Sequence, residues 1–401
     1  MKYRIIILAG IFGLFFSCEK ETSPEQANKF MKLYGNYLMD EARDVEVLSD
    51  GGYAICGTDS TAEGGKRMVL ILTDEYGNLR DGFPAYFTED GLDAEANSMV
   101  VIRGGQGGFL LCGFVERPIE GTQATQKDIF LVKTSSTGSE SWQQSYGSGE
   151  DEEVLHATER YSSGYMLAGY QVKNGKSDIM IMGVYEEGDS IELGLPPSSF
   201  AKNSAASYII TSGERYICVC TYDKFFNAGT DMRILVFDDD LAPLSENLTG
   251  NFDEFGMCAL EDGPESFLVL GNRINTSGFS EMVVYLFETN GLIPGNSFPV
   301  ATISEANTDL IGKRFVKTAD GRYAIIGTRK VAGSSEIILQ FLAPSESDFE
   351  VAERVLYGAT GIQTGADIAL PSNEGLVLLG TNGYEENSMI SLIKTNDAGG
   401  L

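Results

Sequence analysis

The chain has 401 residues, 43% of them hydrophobic, and a formal net charge of -29. That hydrophobic share supports a sizeable core, while so negative a charge repels phosphate backbones and excludes nucleic acid as a partner. With 47 Gly, 18 Tyr and 22 Phe against 11 Pro, one Trp and one His, the composition favours short strands joined by tight turns.

The chain opens with MKYRIIILAGIFGLFFSC at residues 1–18. Lys2 and Arg4 make a basic start, and the apolar run from Ile5 to Phe16 is too short to span a bilayer, which needs about 20 residues. Residues 1–17 therefore read as a signal peptide. The small Ser17 directly before Cys18 resembles a bacterial lipobox, although Phe15 stands where Leu is usual. That resemblance implies cleavage before Cys18 and its acylation, and two or three acyl chains give stable anchoring where one does not. A plain secretory signal with a coincidental Cys is the other reading. Residues 18–28 are polar and lack an apolar period, so they read as a flexible tether. Lys20 and Glu21 faintly resemble the surface-export signals of some outer-membrane lipoproteins.

From residue 29 onward one pattern recurs. An aromatic residue is followed four positions later by a strand Gly, as in Tyr53-Gly57, Phe109-Gly113, Tyr165-Gly169, Phe267-Gly271 and Tyr323-Gly327. Tyr216-Cys220 and Leu376-Gly380 are the two departures, and the successive spacings are 56, 56, 51, 51, 56 and 53. Before each marker lies one predicted strand (DVEVL, SMVVI, EVLHA, ASYII, GMCAL, KRFVK, ADIAL). After it comes an apolar run such as MVLIL from Met68 or DIFLVK from Asp128. Continuous apolar runs predict strands buried on both faces, as in stacked sheets.

A four-stranded antiparallel unit of this length is one propeller blade, and seven units predict an all-β, seven-bladed β-propeller over residues 29–401. The chain stops after the third strand of the last unit. Its missing outer strand is KFMKLYGN at residues 29–36, which matches ERVLYG at 353–358 and WQQSYG at 142–147. The N-terminal strand is thus expected to close the last blade and remove an open edge. Tyr146-Gly147-Ser148, Asp50-Gly-Gly-Tyr53 with Gly57-Thr58, and Asp128 to Gly138 resemble the repeats of bacterial surface lipoproteins with β-propeller domains. This resemblance implies a fold and says little of activity.

Loops entering the predicted innermost strands are rich in acids. Counting back 17 or 18 residues from each marker reaches Asp40, Glu95, Asp151, Asn203, Asp253, Asp309 and Gln363. Sevenfold pseudo-symmetry would gather them on one rim. There they would hold a divalent cation such as calcium, meet sugar hydroxyls or attract a basic partner. The same residue types also cap turns through side-chain bonds to the backbone, and that reading stands beside the first.

Enzymatic signals are weak. His156 is the one His and sits on a predicted inner strand, where packing or lining the channel suits it better than catalysis. The sequence has no nucleophile elbow, P-loop or HExxH. Five Cys beyond Cys18 read as buried thiols, since packed sheets lie about 10 Å apart and a disulfide needs Cα atoms nearer than about 7 Å. The expectation is a lipid-anchored envelope propeller, at the outer membrane of a Gram-negative bacterium. It would bind a protein or glycan without catalysis and need no cofactor. A propeller glycoside hydrolase or lyase using channel carboxylates is the alternative, and a structural subunit of an outer-membrane complex is a third.

Overall fold

The computed structural model describes residues 29–401 apart from 104–106, 192–202, 224–228, 239–242, 249–251, 265, 289–297, 346–347 and 359. The signal peptide, Cys18 and the tether lie outside the described residues. Sheets of four antiparallel strands occupy residues 41–87, 94–146, 152–191, 204–248 and 253–303. An eight-stranded sheet takes the rest. It divides into two antiparallel quartets, 309–357 and 362–394 with 30–38, linked by a single parallel bridge between Ser335 and Ile362.

Strands pair in chain order within each quartet, with one exception. The N-terminal strand Phe30–Leu38 pairs antiparallel with the C-terminal strand Asn387–Lys394, placing Phe30 opposite Lys394 and Tyr34 opposite Ile390. A repeated contact shows why this strand matches its two sequence relatives. Tyr34 donates its hydroxyl to the carbonyl of Gly77 at 2.8 Å. Tyr146 and Tyr357 do the same to Gly188 and Gly399. Each outer-strand Tyr therefore docks on the turn that follows the third strand of the next quartet.

Apolar clusters lie between consecutive quartets, for example Cys56 and Leu70 against Leu111 and Val132. The last such cluster joins Val45 and Ile55 of the first quartet to Val377, Leu379 and Ile390 of the final one. Strands sandwiched this way are buried on both faces, which explains their unbroken apolar runs. The five described Cys are free thiols buried in these layers.

An aromatic marker stands at or next to the start of the second strand in six quartets, and its Gly has a steric cause. A Cβ on Gly113 would stand 1.9 Å from the Glu95 carbonyl oxygen, and one on Gly169 would stand 1.9 Å from that of Glu153. The fourth quartet departs, with Cys220 opposite Ala206.

Candidate functional site

Hydrogen bonds within the protein engage most of the seven residues expected on one rim. Four of them share a structural task. Oδ1 of Asp151 accepts the backbone N–H of Lys127 at 2.9 Å, and Asp253 accepts that of Thr230 at 3.1 Å. Asp309 accepts from Ser280 at 2.8 Å, and the Asn203 amide oxygen from Ser177 at 3.3 Å. Each acceptor stands at the entry to a first strand, and each donor lies near the start of the preceding quartet's third strand. The side chains are clasps between neighbouring sheets.

In the second quartet the clasp is Asp93, which accepts the Lys66 N–H at 2.8 Å. Glu95 instead forms ion pairs with Lys66 at 2.6 Å and Arg43 at 3.5 Å. Counting from Phe109 missed Asp93 because the stretch between Glu95 and Phe109 is two residues longer than its counterpart between Glu41 and Tyr53. Asp40 is fully buried and accepts N–H groups from Asn36 at 3.0 Å and Ser60 at 3.1 Å, so it ties the N-terminal strand to the first quartet. Gln363 donates to Asn382 at 3.2 Å. Among the described residues, no group of three or more His, Cys, Asp or Glu is placed to hold a metal ion.

A different feature converges. Every quartet's first strand breaks register at the same place, between Ala42 and Asp44, Ala96 and Ser98, Val154 and His156, and Ala206 and Tyr208. The breaks continue between Gly256 and Cys258, Gly312 and Arg314, and Gly365 and Asp367. A β-bulge leaves one residue unpaired and re-aims its side chain. The bulged residues Arg43, Asn97, Leu155, Ser207, Met257, Lys313 and Ala366 all line one cavity of about 700 Å³. Glu41, Glu385 and Glu386 also line this cup, as do Lys330, Thr328 and Thr381.

The residues just after the bulges form a polar belt beneath it. Asp44 accepts the Met99 N–H at 2.9 Å and the Ser98 hydroxyl at 3.1 Å. Asp367 accepts the Val45 N–H at 2.9 Å, and His156 Nδ1 accepts the Ile209 N–H at 3.4 Å. The His156 and Tyr208 rings lie 3.9 Å apart between centroids, and the Arg314 guanidinium sits 4.4 Å from the Tyr208 ring centre. A second cavity of about 690 Å³ opens on the other side of the belt, lined by Asp44, His156, Tyr208 and Asp367. Arg314 borders both cavities.

Burial sets the electrostatics here. Desolvation, helped by Arg314, pulls the His156 pKa down to about 3, so the imidazole is neutral and its Nδ1 is an acceptor. Desolvation and then the adjacent Asp44 push the Asp367 carboxyl well above its usual range, and the two side chains are hydrogen-bonded. Arg314 lies 3.9 Å from Asp367. In the cup above, burial first and then Arg314, Arg43 and Lys330 lower Lys313 to about 8. The Arg43 guanidinium meets Glu41 at 2.6 Å, yet its buried Nε has no hydrogen-bond partner.

This geometry separates the chemical roles. Glycoside hydrolysis needs two carboxyl groups about 5 to 9.5 Å apart, flanking the scissile bond. Asp44 and Asp367 touch each other and are only 9% and 7% exposed, so no sugar fits between them. The belt is a structural closure and the cup is an open recess. Sequence reasoning placed His156 correctly as a lining residue but missed the rest of the belt. A signal was present, since Asp44, His156, Cys258, Arg314 and Asp367 each stand nine residues before their marker.

No family model matches the chain, and no curated protein matches its sequence. Among solved structures it is similar to a protein of unknown function from Dyadobacter fermentans at 8% identity and TM-score 0.51, covering 91% of this chain and 98% of that one. It is also similar to extracellular domains 1–2 of Drosophila semaphorin 1a at 11% identity and TM-score 0.54, covering 91% and 88%. An ulvan lyase from a new family of polysaccharide lyases shows 11% identity and TM-score 0.54 over 92% and 97%. At such identities the likeness concerns the fold alone. Together with stacked four-stranded antiparallel sheets, it defines a β-propeller.

Proposed function

We propose that the chain is a seven-bladed propeller, closed by residues 30–38, that serves as a non-catalytic binding scaffold for a glycan or protein of the cell envelope. The observation that carries this reading is the cup of about 700 Å³, to which every quartet contributes its bulged residue. That volume suits a small-ligand site, for which about 300–1,000 Å³ is typical. Asp44 and Asp367 lie beneath it, in contact with each other. Anchoring through acylated Cys18 at the outer membrane of a Gram-negative bacterium completes the proposal and rests on residues 15–18 alone.

Two experiments test it. Melting temperature is measured against a panel of oligosaccharides, in the parent and in Ala366→Trp, which fills the cup. A ligand that binds the folded state raises the melting temperature. The rise should vanish in the variant, and an unchanged rise would remove the site from the cup. For the anchor, Cys18→Ala should move the protein from the membrane pellet to the soluble fraction. Retention in the pellet would rule the lipid out.

The ulvan lyase likeness raises the alternative of a polysaccharide-cleaving propeller. The contact between Asp44 and Asp367 argues against that pair as the cleaving groups.

A further inference from the structure

We propose that the cup is an anion site, built to take the carboxylate or sulfate of a terminal acidic sugar. This deepens the scaffold reading and rests on it.

The chain carries a net charge of -29, yet the cup gathers Arg43, Lys313, Lys330 and Arg314 from quartets far apart in sequence. Glu41 and Glu95 hold Arg43, and Asp367 lies 3.9 Å from Arg314. Neither Lys313 Nζ nor Lys330 Nζ has a hydrogen-bond or ion-pair partner among the described residues. Burial first, and then the neighbouring Arg314, Arg43 and Lys330, depress the Lys313 pKa. The buried Arg43 Nε–H also lacks an acceptor, a costly state that a bound anion would relieve. One anion entering between Lys313 and Arg43 would neutralise the crowding and give charge-assisted hydrogen bonds to both.

The remaining lining describes what carries the anion. Thr364 and Asn387 offer a hydroxyl and an amide, the complement of a hydroxyl-bearing ligand, while Asn97 and Ser388 already donate to Glu153, Val154 and Asp40. Glu385 and Glu386 line the same cup and repel a dense polyanion, so the acidic unit enters at a chain end.

The test is titration calorimetry on the full chain in mild detergent at low salt. The probes are D-glucuronate, glucose 6-sulfate, neutral glucose, inorganic sulfate and a tetraglutamate peptide. Saturable binding of the two acidic sugars, with none of glucose, is expected. Lys313→Met and Lys330→Gln should each weaken that binding about tenfold, and Glu386→Gln should tighten it. Lys313→Met should melt no lower than the parent, because it removes a crowded cation, so lost binding would not reflect misfolding.

Unchanged affinity in both lysine variants would overturn the site. Sulfate alone binding as tightly as the sugars, or the peptide alone binding, would overturn the saccharide assignment. Binding of a neutral oligosaccharide but no acidic one would sink this inference and leave the scaffold reading standing. Cleavage of an oligosaccharide would sink the scaffold reading itself.

Discussion

Asp367 accepts the backbone N–H of Val45 at 2.9 Å, across 322 residues of sequence. The contact joins the first strand of the last quartet to the first strand of the first. It repeats the Asp44 bond to Met99 one quartet further on. Belt residues thus pass one backbone bond to another quartet, and here the last quartet contacts the first.

Replacing Asp367 tests the belt. Asp367→Ala strands the Val45 N–H and is expected to lower stability by about 1–3 kcal/mol, read from urea denaturation. Asp367→Asn should behave differently with pH. The folded-state pKa of Asp367 is raised, so the folded form holds a proton that the unfolded form releases. Its stabilisation is therefore present below the unfolded pKa and declines as pH rises from there towards the folded value. The amide cannot release that proton, so Asp367→Asn should gain on the parent as pH climbs above about 4. A constant difference between the two proteins across pH would contradict this.

Two glycine substitutions separate the close carbonyl approach from general strand-propensity effects. In Gly113→Ala the new Cβ would meet the Glu95 carbonyl oxygen at 1.9 Å, and backbone has to move. In Gly271→Ala the closest atom, the Phe255 carbonyl oxygen, is 3.2 Å away. The first should cost about 3 kcal/mol or more and the second under about 1 kcal/mol. Equal denaturation midpoints would show that the carbonyl approach does not dictate the marker Gly.

Asp309→Ala removes a clasp and should cost about 1 kcal/mol, while Asp309→Asn, which keeps an acceptor for Ser280, should cost less. Because Asp151, Asp253 and Asp309 hold N–H groups, a chelator should leave the melting temperature where it was. A drop of several degrees with EDTA, restored by calcium, would return those carboxylates to a cation-binding role.

Lys313 gives the opposite pH signature to Asp367. Its folded pKa of about 8 lies below the unfolded value, so the unfolded chain binds the extra proton between the two. The resulting penalty is complete below pH 8 and fades as pH rises towards 10.5. Allowing for its partial exposure, Lys313→Met should stabilise by on the order of 1 kcal/mol at pH 7. That gain should disappear near pH 10.5, and a gain that persists there would have a packing cause.

The fold was legible because its repeat follows from local physics. The aromatic marker must be buried as the second strand begins, and Gly57 or Gly113 must face an inward carbonyl, so residue type and spacing recur. The pairing of residues 30–38 with 387–394 was legible from Tyr34, which makes the same contact as Tyr146 and Tyr357. The site was not legible, for two reasons. A bulge shifts each first strand by one residue and thereby changes which side chains face inward. Arg43 and Lys313 therefore reach the cup where regular alternation would aim them elsewhere. Fixed-distance counting also ignored hairpin length, so Glu95 stood in for Asp93.

The most direct measurement of the central claim combines retention and turnover on one substrate. The full chain is incubated with a uronate-containing oligosaccharide, and bound ligand and new chain ends are quantified in the same samples. The account predicts saturable retention, lost in Ala366→Trp, with no new reducing or unsaturated ends. Chain ends that accumulate with the parent and stop in Asp44→Asn or Asp367→Asn would contradict it and make the belt an active site.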